Sequence, residues 1–444
     1  MAHTRRRQSG ARSASRGRRT AAPREPQPGP TLELEVERIA HGGVSVARHE
    51  GRVVFVADAI PGERVLAQVV DAGHDRFWRA DTLSVLRAST DRREHVWPEA
   101  SVDREPAQRP GGAEFGHIRL ARQRELKAEV LRDALARMGG VEWDVEVLPV
   151  RPELAPGVSV DDGTGWRTRV RLHVDAEGAV GPYAARSHTV VHVTSLPLAV
   201  PELAELAPLD ERFPGARAID LVAPSSGAAA VVVEGEGRTP RGEPPVIEEV
   251  VGDRTFRLDR DGFWQVHRGA AATLTQAVQE LVDPDRFDPR AANQDLYGGV
   301  GLLAAAVGDR FGAGVRITTV EADVRATEHA GANLAEWVGA RAVTARVDRY
   351  LDTLLAGSAS ERAGLHDATI VIDPPRSGAG RDVVDRLAEL APRQLVYVAC
   401  DPVALARDVG FLAERGYRLE ALRAFDLFPN THHVEAVARL TAIV

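Results

Sequence analysis

The sequence predicts an α/β protein: a doubly wound C-terminal domain, preceded by a small β-barrel of the OB type and a mainly antiparallel middle segment. Three observations carry this. From Val250 onward short strands alternate with helical stretches, and residues 368–372 and 394–399 are apolar almost throughout, as expected of strands covered by helices on both faces. Between Thr31 and Arg87 short runs alternate apolar and polar residues, broken at Gly42-Gly43, Pro61-Gly62 and Ala72-Gly73, the spacing of a small barrel. The chain has 444 residues, more than one hydrophobic core usually serves.

Taken in order, residues 1–30 hold eight Arg and one Glu with no apolar periodicity, and read as a disordered basic tail that could brush RNA phosphates or simply solubilise the chain. Its Arg- and Ser-rich start also resembles an organelle transit peptide. No secretory apolar core follows, so the expected location is cytoplasmic. Residues 31–90 form the barrel. Residues 91–248 combine a connector helix over 118–138, with Leu126, Val130 and Leu135 at helical spacing and a stop at Gly139-Gly140, and a β-rich region with strands at 166–173, 178–183 and 228–234. Residues 249–444 form the α/β domain. Its helices fall at 271–281 and 302–308, and its strands at 293–297, 316–320, 368–372 and 394–399.

Composition excludes several classes. At 44% hydrophobic and 27% charged, with no apolar run near the roughly 18 residues needed to cross a bilayer, the chain reads as globular, not membrane-spanning. The net charge is −8, and with the tail at +7 the rest carries −15, so any nucleic acid must be met by local basic patches. One cysteine, Cys400, rules out an internal disulfide and a cysteine-held metal centre.

Four constellations bear chemistry. Asp295-Leu-Tyr-Gly-Gly-Val-Gly301 is a strand running into a glycine turn and a helix; glycine admits close approach of a ligand and the helix start offers free N–H groups. Glu321, 20 residues beyond Gly301 at the end of the next strand, can accept from both ribose hydroxyls. This pair fits a nucleoside, and Gly299-Val-Gly301-Leu-Leu-Ala304 equally satisfies the dinucleotide pattern of an NAD-dependent dehydrogenase. Asp373, in Asp373-Pro-Pro-Arg-Ser-Gly378, ends a buried strand at the edge where open α/β sheets bind ligands. Cys400 follows the next strand and precedes a helix beginning near Pro402, whose positive end is expected to lower the thiol pKa. In Phe428-Pro-Asn-Thr-His-His-Val-Glu435, paired histidines without further ligands make a poor metal site, and Glu435 opens an apolar strand where a carboxylate needs a functional reason. A nucleoside site, a thiol and a carboxylate in one cleft imply covalent catalysis followed by proton removal.

These motifs, with Phe263-Trp-Gln-Val-His267 and Val320-Glu-Ala-Asp323, together resemble the RNA uracil-C5 methyltransferases that carry an N-terminal TRAM domain. The resemblance implies a class I (Rossmann-like), S-adenosylmethionine-dependent methyltransferase domain. It implies that Cys400 adds to carbon 6 of a uracil and that Glu435 removes the proton from carbon 5. By position, Gln265, Tyr297, Glu321 and Asp373 correspond to contacts to S-adenosylmethionine, with Asp348 near the adenine. The expected partner is structured RNA, transfer or ribosomal, bound by a monomer with the target base out of its stack. Departures from the family are visible. Many members hold an iron–sulfur cluster on four cysteines where residues 97–116 here have none, so no cluster is expected. Gly298 stands where relatives often have Cys, Leu302 where some have a polar cofactor contact, and His267 where Asn is usual. The competing readings are the dehydrogenase and a non-catalytic RNA-binding protein that keeps the fold.

Overall fold

The computed structural model describes residues 28–74, 76–235 and 244–443; nearly all of the basic tail, residues 1–27, lies outside them. Strands β1 (Thr31–Ala40), β2 (Val44–His49), β3 (Arg52–Ala57), β4 (Arg64–Asp71) and β5 (Phe77–Arg87) close into a barrel in the order β1-β2-β3-β5-β4. Alternate residues point inward, so Leu34, Val36, Val54, Val56, Val65, Ala67 and Val69 fill it. The β1–β2 turn needs Gly42 and Gly43, at φ +86° and +75°, where a β-carbon would strain the chain.

Helix α1 (Leu120–Ala134) continues through one wide turn to Gly140, which closes it in the left-handed conformation. The segment then yields β6 (Val147–Pro149). The central sheet comprises β7 (Arg169–Val174), β8 (Val180–Gly181), β9 (Ala216–Val222) and β10 (Ala230–Gly235), with helix α2 (Pro201–Leu206) between β8 and β9. Its order is β10-β9-β7-β8, antiparallel throughout, over Trp166, Leu172, Ile219 and Leu221. A hairpin of β11 (Val246–Val251) and β12 (Arg254–Asp259) leads into the last domain.

There α3 (Ala270–Leu281), β13 (Asn293–Leu296), α4 (Leu302–Phe311), β14 (Ile317–Glu321), α5 (Val324–Asn333), β15 (Ala340–Thr344), α6 (Val347–Leu355) and α7 (Ala359–His366) are followed by β16 (Thr369–Ile372), α8 (Gly380–Leu390), β17 (Gln394–Ala399), α9 (Pro402–Ala413), β18 (Tyr417–Asp426) and β19 (Glu435–Ala442). The sheet order is β15-β14-β13-β16-β17-β19-β18-β6. Strands β13 to β17 are parallel, β19 inserts antiparallel between β17 and β18, and β6 adds to β18. That last pairing takes residues 147–149 into this sheet, which sequence spacing did not anticipate. On β17, Leu395, Tyr397 and Ala399 face the layer of α8 and α9 while Val396 and Val398 face that of α3 and α4. Each such burial is worth about 1.5–3 kcal/mol, which fixes the register.

Strand order reverses at β13 and β16, the switch point where doubly wound sheets open a crevice. Tyr297, Glu321, Asp373 and Cys400 all stand at carboxyl ends of parallel strands. Because β19 runs the other way, its first residue, Glu435, comes to the same edge. Among the described residues no helix is long and apolar enough to cross a membrane.

Candidate active site

After β13 the chain enters a strained turn. Tyr297 adopts φ +63°, uncommon for a bulky residue, and Gly299 and Gly301 lie at +53° and +91°. The Gly298 N–H donates to the carbonyl of Val320 at 3.0 Å. A β-carbon on Gly298 would sit 2.0 Å from Thr319 Oγ1 and 2.5 Å from Asp295 Oδ2, so the turn admits no side chain there. A β-carbon on Gly299, by contrast, would meet nothing within 4 Å, which leaves an open cradle. Beside it the Glu321 carboxylate accepts from the N–H groups of Gly299 (3.3 Å), Ala322 (2.6 Å) and Asp323 (2.9 Å) and keeps lone pairs to spare. Beneath it Asp295 is fully buried. Thr319 donates to its Oδ2 at 2.9 Å, its Oδ1 lacks a partner among the described residues, and burial pushes its pKa up to about 6.

Across the cleft, burial and then the carboxylates of Asp348 and Asp408 push the Tyr297 hydroxyl up to about 12. Asp348, in the first turn of α6, is held low by Arg346, which donates to both of its oxygens at 3.1 and 3.2 Å. Gln265 lies in the loop between β12 and α3, half-buried, with no hydrogen bond from its side chain among the described residues. The backbone of that loop is tied to the central sheet: Thr168 donates to the Val266 carbonyl, and His267 stacks on Trp166 at 5.6 Å.

The nucleophile candidate sits one residue past a register pair. Ala399 of β17 faces Ala436 of β19, so Cys400 and Glu435 are the next residues toward the crevice. Cys400 is half-buried. Its thiol is pushed up to about 12, by burial first and then by Glu435 and Asp373, with Arg376 opposing. This corrects the expectation of a lowered pKa. The free N–H groups that start α9 are taken by Asp401, whose Oδ1 accepts from Val403 and Ala404 at 3.0 and 2.8 Å, so the helix end serves that carboxylate and not the thiol. Asp373 is pushed up to about 7 by burial and Asp295, and Glu435 is raised well above the usual carboxylate range by burial and Asp373.

Surrounding contacts hold these groups. Asp408 of α9 accepts from Tyr397 Oη (2.7 Å) and from the N–H groups of Ala379 and Gly380, which anchors the far end of the Asp373-Pro-Pro loop. Asn430, at φ +65°, exchanges hydrogen bonds with Gln123 of α1, accepts from Arg93 and donates to the carbonyls of Asp162 and Gly163. Residues 97–116 are held by Arg109 on Asp58 at 2.8 Å and by Thr194, which donates to Glu99 through its N–H and hydroxyl. A cavity of about 400 Å³ opens between the barrel, residues 95–114 and the central sheet, with Arg109, Arg171, Arg186, Tyr183 and His432 in its wall. Tyr183 stacks on His173 with ring centroids 3.5 Å apart.

The structure thus brings Cys400, Glu435 and Asp373 to one point, and Tyr297, Glu321 and Asp348 to the adjoining cradle; Gln265 reaches neither group by any hydrogen bond. Sequence reasoning passed over Arg376, quoted within its motif but given no role. It is the positive charge acting on Cys400, Glu435 and His433 together. A lone cation directly after the paired prolines that follow Asp373 was the available signal.

Residues 363–443 match the family model described as tRNA (Uracil-5-)-methyltransferase, and residues 26–80 match that of the TRAM domain. An uncharacterized RNA methyltransferase of Streptomyces avermitilis is 38% identical, over 93% of this chain and 98% of its own, and one of Bifidobacterium longum is 34% identical, over 92% and 96%. The crystal structure of Pyrococcus abyssi tRNA (uracil-54, C5)-methyltransferase in complex with S-adenosyl-L-homocysteine shares the fold, with a TM-score of 0.65 at 21% identity over 92% of this chain and 99% of that one. The likeness to the two bacterial relatives, which covers more than nine-tenths of each chain, sets the dehydrogenase aside: the chain belongs to the TRAM-domain family of RNA (uracil-5-)-methyltransferases.

Proposed function

We propose that this enzyme moves a methyl group from S-adenosylmethionine to carbon 5 of one uridine in structured RNA, transfer or ribosomal, through a covalent adduct on Cys400, with Glu435 as general base. The register that sets Cys400 beside Glu435 at the mouth of a glycine-lined cradle carries the reading. Tyr297, Glu321, Asp348 and Gln265 would hold the cofactor, and the open space at Gly299 fits a nucleoside laid against the backbone. When bound, S-adenosylmethionine supplies an electrophilic methyl on a cationic sulfur, and that charge favours the thiolate.

Cys400, as the thiolate, would form a bond from Sγ to carbon 6, and the electron pair of the ring double bond would move onto carbon 5, which would take the methyl group as its bond to the sulfonium breaks and S-adenosylhomocysteine is left. The Glu435 carboxylate then accepts the carbon 5 proton; the double bond re-forms and expels the thiolate. A base whose pKa lies above the usual carboxylate value suits proton removal near neutral pH. Asp373 lines the same point and adds a polar edge for the uracil. The half-exposed Arg171 and Arg186, with Tyr183, offer cations and a stacking face to the flanking strand.

In purified enzyme, Cys400→Ala is expected to abolish methyl transfer while S-adenosylmethionine still binds by calorimetry; retained transfer would remove Cys400 from the mechanism and leave the proposal without its nucleophile. Mapping 5-methyluridine in RNA from cells lacking the gene identifies the target.

A further inference from the structure

Asp401 uses both carboxylate oxygens. Oδ1 caps α9, while Oδ2 lies 3.3 Å from Nε2 of His41, in the β1–β2 turn of the barrel. Two residues further along that turn, Gly43 lies so close to the catalytic loop that a β-carbon on it would come within 2.8 Å of the His432 β-carbon. One turn of the barrel therefore touches the residue that follows the nucleophile and a residue three before the general base.

We propose that His41 is a positioning residue for Cys400: through Asp401 it clips the turn that bears the thiol to the barrel and offsets the negative charge lying next to it. The inference rests on Cys400 being the nucleophile. The charges facing that thiol are Glu435 of β19, Asp373 and Arg376 of the loop after β16, and Asp401 of its own turn. The three carboxyls oppose a thiolate, and Arg376 alone among these four favours it. Asp401 is the carboxyl that meets an imidazole from another domain. Without His41 its outer oxygen returns to water with its charge undiminished beside the sulfur. The His41 side chain is 45% exposed, so the effect is that of a partly hydrated pair.

Cys400 is the only cysteine, so alkylation of the full-length chain by iodoacetamide reads this thiol alone. His41→Ala is expected to slow alkylation at pH 6 by about three- to fivefold. His41→Gln, whose amide can reach Asp401 but carries no charge, should recover only part of the rate. Single-turnover methyl transfer at saturating RNA should fall by a similar factor in His41→Ala, with S-adenosylmethionine affinity unchanged. In an Asp401→Asn background, which keeps the capping oxygen and removes the charge, the same His41 substitution should have no further effect. An unchanged or faster alkylation rate in His41→Ala, or an undiminished effect in the Asn background, would overturn the proposal. Methyl transfer by Cys400→Ala would instead strike at the nucleophile assignment, which the alkylation rates leave untouched.

Discussion

Lys127, the only lysine in the chain, is wholly buried with its Nζ 2.5 Å from Asp426 Oδ1 and 3.0 Å from the carbonyl of Phe428. Burial lowers its pKa and Asp426 opposes that. The pair ties α1 to the point where β18 gives way to the loop carrying His432 and His433. Lys127→Met would leave a buried carboxylate without its counterion and is expected to cost about 3–5 kcal/mol in chemical denaturation. Lys127→Met combined with Asp426→Leu should recover part of that loss, since it removes both charges at once.

The two carboxyls beside Cys400 set the pH response of catalysis. Asp373 is pushed up to about 7 and Glu435 is raised in the same direction, so both are protonated in acid, where Glu435 cannot accept the carbon 5 proton. The single-turnover rate is therefore expected to climb as pH rises from the acid side, with the Asp373 proton leaving at about 7. Glu435→Gln should still form the Cys400 adduct but release it slowly, and denaturing gels of enzyme with RNA and cofactor should show a retained covalent complex.

Asp295 makes the opposite demand on stability. Its folded pKa, about 6, stands above its unfolded value, so its contribution is fully present below the unfolded pKa and is lost as pH rises through about 6. Asp295→Asn keeps an acceptor for the Thr319 hydroxyl and has no charge to bury. Its thermal midpoint should exceed the wild-type value at pH 8, and the difference should shrink toward pH 4.

Gly298 bears on the cofactor turn directly. With Thr319 Oγ1 and Asp295 Oδ2 standing where a side chain would begin, Gly298→Ala must displace the turn or break the Thr319 hydrogen bond. S-adenosylmethionine affinity is expected to drop about tenfold, roughly the 1.4 kcal/mol of one such hydrogen bond, and calorimetry measures it. An unchanged affinity would mean that the turn relaxes without cost.

What the sequence determined by itself is local. Period-two runs marked the barrel, apolar strands between helical stretches marked the doubly wound domain, and strand–turn–helix motifs put Asp295, Glu321, Asp373 and Cys400 at one sheet edge, because a strand's direction and a glycine's freedom are properties of a few neighbouring residues. Strands β2, β5, β9, β15 and β18 were among those that escaped that reading. Tertiary structure decided the pairing of β6 with β18, the contact of His41 with Asp401 and the protonation of the site. The helix behind Cys400 argued for a lowered thiol pKa, yet Asp401 takes its N–H groups, and burial with Glu435 and Asp373 from two other strands drives the thiol upward. Desolvation and the charges of distant strands act through space, and no window along the chain contains them.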